Sequence, residues 1–99
     1  MPEMHFIVRW PDGEEMRCYS PSLVVRDYLH VGGTYVVHDF MERTRAMLHV
    51  ASERVRAKFG YACSSALDQL ATLEARAANC DPLGEVSVVR FDLPEGGHG

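Results

Sequence analysis

Apolar positions, with Thr44 among them, recur every three to four residues through the middle of the chain. Val37, Met41, Thr44, Leu48, Ala51 and Val55 share one stripe of an α-helix. From Tyr35 to Lys58 there is neither Pro nor Gly, and Gly60 stands where a helix would stop. At 1.5 Å per residue the rod is about 36 Å long. Asp39 and Glu42 fall in its early turns and Arg54, Arg56 and Lys58 in its late turns, which suits the helix dipole. Asp39–Arg43 and Glu42–Arg45 have the spacing of surface ion pairs.

On either side of this helix the period changes. Met4, Phe6, Val8 and Trp10 alternate with His5, Ile7 and Arg9, the pattern of a strand. Pro11-Asp12-Gly13 is a tight turn, and Glu15 to Tyr19 returns as a second strand with Met16 and Cys18 toward the core. Ser20-Pro21-Ser22 breaks that strand, with Ser20 as a helix cap before Pro21. Leu23 to Leu29 is then either a short helical turn or an extended arm, and Val31-Gly32-Gly33-Thr34 a flexible link with Thr34 capping the long helix. Ser65 and Asp68 form a capping box for a second helix running to about Ala78, whose stripe is Ala66, Leu70, Leu73 and Ala77. Glu85 to Asp92 is a valine-rich third strand.

The order strand, strand, helix, helix, strand predicts an α+β fold. Its small antiparallel sheet carries two antiparallel helices on one face, and the third strand lies beside either the first or the second. Residues 1–93 form a single domain and 94–99 a flexible C-terminal tail. Plain alternation turns Ile7, Tyr19, Val89 and Phe91 away from the helices. That is a large apolar load for a face in water, and it predicts a homodimer burying this face or the long helix. The alternative is that the tail or the Ser20–Thr34 arm covers the face.

Composition narrows the function classes. The 99 residues are 46% hydrophobic and 24% charged, enough for one small core that is marginally stable alone. Acidic residues number 14 against 10 basic, for a net charge of −4, which argues against nucleic acid as a partner. No apolar run reaches the length of a membrane span, and Met1 to Trp10 lacks the pattern of a signal peptide. Cys18, Cys63 and Cys80 are odd in number and show no CxxC spacing, so disulfides and a zinc site are not expected and a cytoplasmic location is.

Several segments together resemble a small family of nitrogen-starvation-response proteins encoded beside nitrilases. They are Met1-Pro2-Glu3-Met4-His5-Phe6, Arg9-Trp10-Pro11-Asp12-Gly13, Cys18-Tyr19-Ser20-Pro21-Ser22 and the run from Ala51-Ser52-Glu53-Arg54 to Tyr61-Ala62-Cys63-Ser64. The resemblance extends from Met1 to about Phe91. It implies a role in a nitrile or cyanide nitrogen-assimilation cluster, where typical neighbours are a nitrilase, a radical-SAM-like protein, an acetyltransferase and a flavoprotein. It carries no catalytic residue with it.

No stretch holds an unambiguous catalytic or ligand motif. The sharpest candidate for chemistry is Cys63, placed before the second helix with Ser64 and Ser65. Helix amides and the nearby Arg56 and Lys58 would favour a thiolate or a bound anion there. The plainer reading makes Cys63 a packed side chain and the serines caps. His38–Glu42 and His49–Glu53 each have the spacing of a metal-sharing pair, but neither supplies a third ligand, so no metal and no cofactor is assigned. Tyr19-Ser20-Pro21-Ser22 and Gly32-Gly33-Thr34-Tyr35 are turn-forming stretches able to line a pocket. Arg54, Arg56 and Lys58 form a basic patch suited to docking an acidic protein. The leading expectation is therefore a small dimeric accessory or regulatory protein that binds a partner enzyme. The alternative is an enzyme or small-molecule binder that uses Cys63.

Overall fold

The alternating segments at the two ends of the chain come together in one antiparallel sheet. The computed structural model describes residues 3–60 and 64–93. Strand β1 (Met4–Arg9) pairs with β2 (Glu15–Ser20) through the turn at Asp12–Gly13, where Gly13 adopts φ 91°. The helical turn α1 (Val25–Tyr28), strand β3 (Thr34–Val36), helices α2 (Val37–Phe59) and α3 (Ser64–Ala77), and strand β4 (Glu85–Asp92) follow. The strand order is β2-β1-β4-β3 with every pair antiparallel, so the last strand lies beside the first.

Helix α2 follows its sequence pattern. All six residues of the expected stripe are buried, joined by Phe40, Met47 and Ser52. Thr44 is accommodated there because its hydroxyl bonds the Phe40 and Met41 carbonyls at 3.0 and 3.1 Å. Gly60 closes the helix in the left-handed conformation, with its N–H on the Arg56 carbonyl at 2.7 Å. Arg43 pairs with Asp39 at 2.9 Å, whereas Arg45 reaches across to Glu74 of α3. That contact sets early α2 against late α3, so the two helices are antiparallel.

Four local expectations fail, the first two for tertiary reasons. Thr34 does not cap α2, because residues 34–36 are drawn into the sheet as β3. The helix is capped instead by backbone: Val37 N–H donates to the Gly84 carbonyl at 2.8 Å and His38 N–H to that of Pro82 at 3.1 Å. The glycine link is fixed, not free, since Gly32 N–H and the Gly33 carbonyl both bond Val88. Ser20 caps no helix. Its hydroxyl bonds the Ser22 carbonyl at 2.8 Å, and α1 begins only at Val25. Ser65 lies inside the first turn of α3, which already includes Ser64, so it is not the cap. The tail expected from residue 94 lies outside the described residues.

The arm from Ser22 to His30 runs along α2. Arg54 donates to the Ser22 hydroxyl at 3.0 Å and Arg43 to the Tyr28 carbonyl at 3.1 Å. These anchors are about 16 Å apart along the helix. Val24, Val25 and Leu29 are buried in the main core between them. The arm thus thickens the helical side and does not cover the opposite face of the sheet.

At the end of the β1–β2 hairpin, Arg76 of α3 stacks over the Trp10 ring at 5.3 Å and pairs with Asp12 and Glu14. Trp10 meets Phe40 edge-on, and its buried indole N–H has no acceptor among the described residues. The edge of β2 is guarded where Gln69 accepts the Tyr19 N–H at 2.8 Å.

Candidate docking surface

The sheet has one face under helices and one without an element over it among the described residues. Met4, Phe6, Val8 and Cys18 point to the helices, with Val86 and Val88 beside them. The other face carries Glu15, Arg17 and Tyr19 on β2 and Arg9, Ile7 and His5 on β1, in register. On β4 the alternation is interrupted. Val8 pairs with Val88 and Ile7 with Arg90, so Val89 is an extra residue, a β-bulge.

The bulge corrects one expectation. Beyond Val89 the phase of the strand reverses, so Phe91 lies opposite Phe6 and packs on the core instead of pointing away. Arg90 turns outward in its place. An arginine at a position that plain alternation sends into the core was the sequence signal for this bulge.

Ile7 sits at the centre of the uncovered face, between Arg17 on one neighbour strand and Arg90 on the other. It is only 4% exposed. Cross-strand neighbours stand close enough for their methylene stems to lie over it. The two guanidiniums converge on one carboxylate: Arg90 Nε is 3.2 Å from Asp92 Oδ1 and Arg17 Nε is 3.7 Å from Oδ2. Both arginines remain well exposed, at 58% and 60% of the side chain. Arg9 is matched separately by Glu15 at 2.6 Å. His5 and Tyr19 meet edge-on, and the Tyr19 hydroxyl bonds Glu3.

The residues singled out by sequence are scattered. Cys63 lies outside the described residues, and Ser64 and Ser65 are exposed on the first turn of α3. Cys18 is a core side chain whose thiol burial pushes up to about 12, so it stays protonated. Arg54 and Lys58 share a side of α2, and Arg56 is about 200° away round the helix, so the three do not form one patch. Lys58 lies over the Phe59 ring. His38 bonds Glu42 at 3.2 Å on the exposed side of α2. Among the described residues no three His, Cys, Asp or Glu side chains gather where a metal could be held. The Ser20–Ser22 stretch meets the late turns of α2 through Arg54, and the Gly32–Tyr35 stretch meets its early turns where Arg43 lies over the Tyr35 ring. Arg17, Arg90 and Asp92, by contrast, were not candidates from sequence, because their convergence depends on strand order and on the bulge.

No helix among the described residues is long and apolar enough to cross a membrane. No curated protein and no solved structure matches the chain. Residues 5–91, which span every helix and all of the strands except the first residue of β1 and the last of β4, match the family described as nitrogen starvation-induced protein NitG. The chain is therefore a member of the NitG family of nitrogen starvation-induced proteins.

Proposed function

We propose that this protein is an accessory or regulatory component of the nitrogen-starvation response that works by binding a partner enzyme, and that the enzyme belongs to a nitrile- or cyanide-assimilation cluster. The observation that carries the reading is the uncovered sheet face. A four-stranded sheet, backed by α2 and α3, sets the buried Ile7 among the exposed side chains of Arg9, Arg17 and Arg90 and their partners Glu15 and Asp92. Docking surfaces combine these elements, an apolar centre within a polar, arginine-bearing rim. Family membership supports the physiological setting, nitrogen starvation, and leaves the chemistry to the partner.

The test is affinity purification of the tagged chain from nitrogen-starved cells. Stoichiometric recovery of a nitrilase, radical-SAM-like protein, acetyltransferase or flavoprotein from its gene neighbourhood is expected. Recovery of the bait alone, with no such enzyme binding when the purified proteins are mixed, overturns the reading.

A further inference from the structure

We draw no further inference here: the strongest candidate, the open cleft between the hairpin turn at Pro11 and Gly13 and the 83–87 segment, is a corner of the sheet face already described, where Arg9 and Glu85 stand together and nothing in the structure shows what occupies it.

Discussion

The two faces of the sheet are made from the same strands by the same alternation, yet they are closed in different ways. On the inner face Phe6, Val8, Cys18, Val86 and Val88 are sealed by side chains from α2, α3 and the arm. On the outer face Ile7 is nearly as buried, although no element lies over it among the described residues, and its cross-strand neighbours are Arg17 and Arg90. An interior wall of helices is close-packed and cannot move aside. Long arginine stems are free to rearrange. Burial of equal degree is therefore expected to cost more to disturb on the inner face than on the outer.

The comparison can be broken most sharply by truncation. Phe6→Ala opens a cavity under the helices and is expected to cost about 3–5 kcal/mol in denaturant unfolding. Ile7→Ala should cost about 2 kcal/mol, because flexible stems collapse into the space. Equal losses at the two positions would show that the outer cover is as rigid as the inner one.

Deleting Val89 sharpens it differently. The deletion leaves Arg90 opposite Ile7 and Phe91 opposite Phe6, now without the bulge, so both faces keep their residues. A loss of about 1 kcal/mol with an unchanged amide spectrum around Phe6 is expected. A collapse of the spectrum would mean that the bulge itself, and not the phase it sets, holds the sheet.

The smallest effect is expected at the hairpin end. The Glu14 backbone N–H holds the Asp12 carboxyl below its ordinary 3.8; desolvation opposes this and Arg76 reinforces it. A carboxylate whose folded pKa is lowered contributes stability above its unfolded value and loses it as pH falls through the folded one. Wild type should therefore show a slightly steeper decline in melting temperature below about pH 4 than Asp12→Asn, with the two parallel above it. Parallel curves throughout would show that Arg76 is held at the hairpin end by Trp10 and Glu14 without a contribution from the Asp12 charge.

Much of the fold was legible because its signals are local. The α2 stripe, the Gly60 stop, the Pro11-Asp12-Gly13 turn and the bounds of β4 depend on period, on left-handed backbone and on turn chemistry, which neighbouring residues fix. β3 was not legible: three residues beside two glycines carry too little pattern, and they become a strand only because β4 offers them partners. The Thr34 cap failed for the same reason, since the donors of α2 are met by carbonyls of residues 82 and 84, far along the chain. The expected patch of Arg54, Arg56 and Lys58 was read along the sequence, and helical rotation separates it.

The sequence by itself determined the long amphipathic helix, the hairpin, the α+β class and the NitG resemblance, because each is written in contiguous residues. The tertiary structure alone decided which arginines meet. Arg17 and Arg90 are 73 positions apart in the sequence, and only the order β2-β1-β4 sets both beside Ile7. Only the bulge at Val89 turns Arg90 outward and Phe91 in. Pairing across strands is a competition among all available edges, and its outcome is a property of the whole sheet.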